Sequence, residues 1–467
     1  MTKRVTGARA ATMLLDLGAA SIAAGVISRR RPVIRALEAA QADSRAVQRI
    51  QRLRREFGRG PVELVLPRRR IVVILDPEDV GRVLAEAPTP FHPANAEKRK
   101  ALQWFQPHGV LISQGPIRQQ RREFNDAALD SGAEVHRLAE AFTRVVAEEA
   151  RELVADAPAR VNLDSERFMT TWWRIVRRLV LGDRARDDEL ITDALMRLRK
   201  AGNWSFLSLQ HYRARAKFLE GLYRYVEDPE PGSLAAVVAQ TPSSGAVDPV
   251  GQMPQWIFAF DAAGMAAVRA MALLATHPSE RALAVEDAAE PDRVAVRPYL
   301  RACVLESVRL WPTTPTILRD TTEDTRWADG STIAKGAGLM IVTPAFHRDD
   351  ELLPFAHSFS PQIWLDGTVQ NYPQLVPFSA GPAECPGRNL VLLVTSALLA
   401  QVLSALEIDL TSEPNPVPER PLPMTLNQLT LEFGVKRASH AIAGETERAL
   451  DGARRVVPGI GHHDDAR

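Results

Sequence analysis

The sequence predicts a mainly α-helical chain with a small β-rich lobe, on three observations. Apolar residues recur at helical spacing in one segment after another between 117 and 226. The stretch 254–276 is nearly free of charge and is stopped by Pro278; a helix apolar all round is a buried one. Short β-branched runs at 62–66 and 71–75, and an alternating run at 425–435, supply strands.

Taken in order, residues 13–27 are apolar except for Asp16 and Ser21, with Arg29, Arg30 and Arg31 directly behind. The run is short for a membrane span, and an Asp at its centre costs about 2.5–3.5 kcal/mol on an insertion scale. A cytoplasmic helix, or one that grazes a membrane, is expected; a signal or anchor is the alternative, since Lys3, Arg4 and Arg9 precede the apolar core. Val33, Ile34, Leu37, Val47, Ile50, Leu53 and Phe57 predict an amphipathic helix over 33–57. The runs 62–66 and 71–75 flank Pro67 and three arginines as a hairpin, and Asp76-Pro77 caps a helix to 85. The proline- and aromatic-rich 88–115 reads as a loop covering a pocket. Helices are expected at 117–129, 136–154, 166–181, 187–200 and 212–226, with Trp172, Trp173, Trp204 and Phe206 as core. A Pro-, Gly- and Ser-rich loop at 228–252 precedes the long helix 254–276. A further helix spans 297–310, short strands and turns fill 325–343, and a buried helix spans 390–406. The expected division is an N-terminal helical extension (1–60), the main domain (61–437) and a flexible C-terminal tail (438–467). In that tail His462-His463-Asp464-Asp465 is a frayed end rather than a metal site.

The balance of the chain excludes several classes. A net charge of +1 over 467 residues provides no basic field for nucleic acid. Two cysteines rule out a disulfide framework or a Cys-rich zinc site and fit a reducing cytosol. One of the two, Cys385, lies in 378–387, Phe-Ser-Ala-Gly-Pro-Ala-Glu-Cys-Pro-Gly, just ahead of the buried helix. Gly381 and Gly387 allow a tight backbone that approaches a flat partner. A helix N-terminus favours a thiolate. A thiolate on such a loop suggests an axial ligand to haem iron.

The same run resembles the Phe-x-x-Gly-x-x-x-Cys-x-Gly haem-ligand loop of the cytochrome P450 family and matches at Phe378, Gly381, Cys385 and Gly387. Glu306 and Arg309, followed by Trp311-Pro312, resemble the family's structural Glu-x-x-Arg helix. Arg121 is similar to the Arg of its Trp-x-x-x-Arg helix, with Ile117 in place of Trp, and Arg319 to a second propionate-binding Arg. The resemblance spans roughly 61–436. It implies the P450 fold, haem b held by Cys385 with Arg121 and Arg319 on its propionates, a lipophilic substrate, and electrons from a ferredoxin and its reductase or another donor. Arg118, Arg121, Arg122 and Arg388 are expected to attract an acidic ferredoxin. No nucleic acid is implied. His347-Arg348-Asp349 imitates a kinase loop, but no accompanying kinase motif exists.

Two departures stand out. Ile363 occupies the position of a meander Arg that should complete the set around Glu306, so another donor must satisfy Glu306 or Arg309 does so alone. The family's Ala/Gly-Gly-x-Asp/Glu-Thr pattern here reads Ala263-Gly264-Met265-Ala266-Ala267. The gap at Gly264 is kept, while both proton-handling side chains are gone; losing a positioned proton donor costs about 10²–10⁴-fold. Asp261, one turn upstream, is a candidate substitute acting through water, with a helix-to-helix ion pair as the plainer reading. Phe258, Ala259, Ala262, Ala263, Gly264 and Ala267 are expected on the substrate wall. Three activities follow: an electron-fed monooxygenase, a peroxide-driven peroxygenase, or a non-oxidative haem isomerase, dehydratase or sensor.

Overall fold

The computed structural model describes residues 3–24, 31–67, 69–160, 162–202 and 212–438. Trp204, Phe206, Arg29, Arg30 and the histidine-bearing tail lie outside them. The long helix Met253–Thr276 runs through the main core, packed against Ser165–Leu181, Pro298–Leu310 and Arg388–Ala405. Arg388–Ala405 is buried on every side from Leu390 to Leu403, as its lack of charge predicts.

The β-rich lobe is a six-stranded sheet in the order Lys3–Thr6, Val62–Leu66, Arg69–Val73, Gly338–Val342, Thr316–Thr321, Phe91–His92. Its two faces follow the period of two along each strand. Ile71 and Val73 join Ile50, Leu53, Met13 and Leu17 on one side, while Val72 and Ile74 join Val80, Val83 and Leu84 of helix Pro77–Ala85 on the other. A three-stranded sheet, Leu406–Leu410, Glu432–Arg437 and Asn162–Asp164, closes the far end of the helical core.

Several elements depart from the sequence expectation. Residues 1–60 are not a purely helical extension. Lys3–Thr6 pairs in parallel with Val62–Leu66, and helix Gly7–Ala24 buries Ala10, Met13 and Leu17 on the sheet. With Val5 alone buried, that strand has no alternation to read. The helix expected over 33–57 breaks into Arg31–Ala39 and Asp43–Phe57, because Gln41 takes a positive φ and its Oε1 accepts the N–H groups of Met424 and Thr425. Loop 228–252 contains helix Leu234–Gln240, capped by Ser233. Pro278 also opens a second helix, Pro278–Asp287, where its missing N–H is harmless. The strand expected at 425–435 is reduced to Glu432–Arg437, since Gln428–Thr430 turn as a 3₁₀ helix.

Glu306 and Arg309, both fully buried, form a bidentate pair at 2.6 and 2.8 Å. Arg309 also donates to the carbonyls of His347, Phe355, Ala356 and Ser358, fixing the meander. The missing arginine is replaced by Trp364, whose indole Nε1–H donates to Glu306 at 2.9 Å, together with the backbone N–H of Ser360 at 2.9 Å. Ile363 itself fills a small apolar cluster with Leu353, Ala356 and Leu375. The kinase-like run is structural: Arg348 donates to the carbonyls of Leu310, Ala356, Leu422 and Pro423, and Asp349 accepts from Gln51 and Arg54. Replacing Trp364 by Phe removes one donor from a buried carboxylate and is expected to cost about 1–3 kcal/mol. A denaturant midpoint equal to that of the wild-type protein would show that Arg309 and Ser360 suffice.

Candidate active site

Between Phe378 and Arg388 the chain makes a short bridge, a 3₁₀ turn Gly381–Ala383, and then enters helix Arg388–Ala405 at Gly387. The Cys385 N–H donates to the Phe378 carbonyl at 3.0 Å, closing the loop. Gly381 sits at φ +65, and a Cβ there would lie 2.3 Å from the Leu84 carbonyl oxygen. Its smallness therefore serves the packing of the loop on helix Pro77–Ala85. Around Gly387 a Cβ would meet little, the nearest atom being a Leu129 methyl at 3.8 Å. Arg122 donates to the Glu384 carbonyl at 2.5 Å, Ser131 to that of Pro386 at 2.7 Å, and Asn389 to Ser131 and Ala133. These bonds anchor the loop to the end of helix Pro116–Ala128.

Cys385 carries a free, half-buried thiol. Burial pushes it up from its ordinary value, against the Gly387 N–H and the charges of Arg122 and Arg388, which favour the thiolate. Cys303, the other cysteine, is wholly buried and its thiol is driven far up, so it behaves as a small hydrophobe.

On the long helix, Phe258, Ala259 and Ala262 are partly accessible and form a stripe at helical spacing. Ala263 and Ala267 are buried against neighbouring helices. Gly264 also faces away from that stripe. A Cβ on it would stand 2.6 Å from the Trp172 ring and 2.9 Å from the Met169 methyl. Trp172 uses the room to bring its indole Nε1–H to the Phe260 carbonyl at 2.7 Å. The gap expected beside the iron is thus filled by an indole from helix Ser165–Leu181. Asp261 is held by Arg199 of helix Glu189–Gly202 at 2.7 Å, and Arg199 lies 4.4 Å from the centre of the Phe258 ring. A carboxylate already holding a guanidinium is poorly placed to pass on a proton, and the helix-to-helix reading of Asp261 describes what is seen.

The arginines divide differently from the sequence expectation. Arg118 and Arg121 are 6% and 9% exposed, so neither is offered to a docking partner. Arg122 pairs with Asp126, and the exposed Arg388 with Glu384. Arg121 spends its guanidinium on Ser113 and the carbonyls of Val247 and Ala246. Arg319 reaches only its own strand at Leu318 and the Ser379 hydroxyl at 3.3 Å, and its buried Nε has no partner among the described residues.

With this geometry in view, the comparisons with known proteins are specific. The family model described as "Cytochrome P450" matches residues 276–435, which hold Glu306, Arg309 and Cys385. The chain is 30% identical over 164 residues to "Probable cytochrome P450 4s3" of Drosophila melanogaster (34% of this chain, 33% of that one). It is 33% identical over 120 residues to "Dimethylnonatriene synthase" of Arabidopsis thaliana (25% of this chain, 23% of that one). The chain spans between a fifth and a third of the length of the curated relatives it matches. Among solved structures, "Retinoic acid bound cyanobacterial CYP120A1" superposes with a TM-score of 0.65 at 16% identity, covering 83% of this chain and 94% of that one. The fold is that of the cytochromes P450, and residues 276–435 match that family's model.

The matched family model implies haem, and the residues present fit it: a free half-buried thiol beside an N–H donor, an apolar stripe on the long helix, and a buried Arg319 whose Nε has no partner among the described residues. Gly264→Ala is expected to lower stability by about 1–3 kcal/mol through overpacking on Trp172, whereas Ala262→Leu acts on ligand binding. Thermal unfolding and ligand titration of both variants check this; a Gly264→Ala protein of full stability with weakened ligand binding would place the glycine on the pocket after all.

Proposed function

We propose that the chain is a haem-thiolate oxidoreductase, a monooxygenase that inserts one oxygen atom into a lipophilic small molecule with electrons from a ferredoxin system or similar donor. The observation that carries this is the Cys385 sulfur: free, half-buried, and set three residues ahead of a helix buried from Leu390 to Leu403. Haem bound there would supply the oxidation chemistry. The chain's own part is to fix the sulfur through the Phe378 and Gly387 backbone and to line one wall with Phe258, Ala259 and Ala262. An apolar wall suits a lipophilic substrate, in keeping with a neighbour of the same fold that carries retinoic acid. We place the protein in the cytoplasm, because inserting helix Gly7–Ala24 into a membrane would unpack Ala10, Met13 and Leu17 from the sheet. The helices at Val250–Thr276 and Arg388–Ala405 are long and apolar enough to cross a membrane, yet both are mostly buried in the protein.

A second reading, peroxide used directly, is favoured by a specific observation. Ala266 and Ala267 carry no proton-handling groups, and Asp261 is engaged by Arg199. Feeding the purified protein hydrogen peroxide or a reductase–ferredoxin system, with fatty acids, terpenoids and aromatics, separates the two. Product with the electron donors supports the monooxygenase, product with peroxide alone supports the peroxygenase, and a ligand-induced spectral shift without turnover points to a non-oxidative haem protein. The prior test is spectroscopic. The reduced, carbon monoxide-bound protein is expected to give a thiolate-type band that Cys385→Ser abolishes, and a band that survives the substitution would remove Cys385 from the iron.

A further inference from the structure

The accessible stripe on the long helix meets polar groups at its N-terminal end. One turn before Phe258, the half-buried Gln255 accepts a hydrogen bond at Oε1 from Gln106 at 2.5 Å. Phe105 packs edge-on against Phe258, with ring centres 5.7 Å apart. Residues 103–106, which follow helix Ala96–Leu102, therefore form a rim beside the stripe. Against that rim stands Arg215, from the first turn of helix Tyr212–Glu227. Its guanidinium is half-buried, donates through Nη1 to the Gln103 carbonyl at 3.1 Å, and lies 5.2 Å from the centre of the Tyr212 ring.

Arg215 has no carboxylate partner among the described residues, and its Nε and Nη2 make no hydrogen bond there. Those two nitrogens are the edge of a guanidinium that grips a carboxylate side-on. The surroundings add positive charge: Arg213, Lys217 and Lys200 are exposed and likewise without an ion pair among the described residues. Asp261, on the stripe's own helix, is already taken by Arg199. The first acid of helix Tyr212–Glu227 is Glu220, five residues after Arg215 and exposed, so it does not face the guanidinium. Fully exposed arginines are satisfied by water; a half-buried one with an open fork beside an apolar wall is matched only by an anion that arrives with an apolar body.

We propose that Arg215 selects the substrate by gripping a carboxylate at one end of a lipophilic molecule, whose apolar part lies along Phe258, Ala259 and Ala262. The proposal narrows the substrate class given above and rests on the reading of that stripe as a substrate wall. From Gln255 to Ala262 the helix rises about 10 Å, which is the length of wall open to the apolar part.

The test is titration calorimetry of the purified full chain with dodecanoic, naphthoic and farnesoic acids and the methyl ester of each, near neutral pH, where a carboxyl group is ionised. Wild type is expected to bind at least one acid about tenfold or more tightly than its ester. Arg215→Leu should bring that acid down to its ester while leaving the ester within about twofold of wild type. Arg215→Lys, which keeps the charge without the fork, should keep part of the preference. Equal binding of acid and ester across all three pairs, a preference that survives Arg215→Leu, or an equal loss of acid and ester in that variant overturns the proposal. So does tighter binding of monododecyl phosphate than of dodecanoate, or binding of none of the six compounds. If Ala262→Leu leaves acid and ester binding untouched, the wall reading fails and the proposal with it; a thiolate-type band without any acid preference removes Arg215 alone.

Discussion

A buried carboxylate that must be neutralised in place governs much of this molecule. Glu306 has no access to water, and an unpaired charge there would be prohibitive. Arg309 answers it side-on, Trp364 and Ser360 supply the remaining donors, and the other face of Arg309 gathers four carbonyls of the meander. His347, whose carbonyl is one of those four, turns its ring to accept the Val376 N–H. Val376 lies two residues before Phe378, so the polar core leads by contiguous hydrogen bonds to the loop that carries Cys385.

The long helix illustrates a second constraint. Its carbonyls at Phe260 and Ala266 each accept a side-chain donor from a neighbouring helix, Trp172 and Ser307. Eight alanines and one glycine among the 24 residues of this helix permit such close approach, because little stands between one backbone and the next at those positions. The same smallness leaves the accessible stripe at Phe258, Ala259 and Ala262. One set of small residues thus serves packing on the buried sides and pocket space on the remaining one.

Charge is distributed unevenly around the site. Several peripheral arginines are matched: Arg122 with Asp126, Arg199 with Asp261, and Arg178 with Glu148, Glu149 and Asp183. Among the described residues Arg118 and Arg319 have no carboxylate partner, and Arg319 reaches only the Leu318 carbonyl and the Ser379 hydroxyl.

Local pattern alone determined a good deal. The helices at 117–129, 166–181, 254–276 and 297–310, the hairpin at 62–75, and the Phe378-to-Gly387 loop follow from periodicity, caps and glycine spacing, and these depend on neighbours in sequence. The family resemblance of Cys385, Glu306 and Arg309 rests on the same short-range information. What tertiary structure decided is rotation and partnership. Whether Gly264 faces a pocket or Trp172, whether Asp261 is free or held by Arg199, and which of Arg118 and Arg121 lacks a partner among the described residues all turn on about 100° per residue of helix phase and on side chains far away in the chain. The replacement of a meander arginine by Trp364, and the strand at Lys3–Thr6, belong to the same class. Hydrogen-bond donors are interchangeable in kind, and a single strand of four residues has meaning only beside the strand it pairs with.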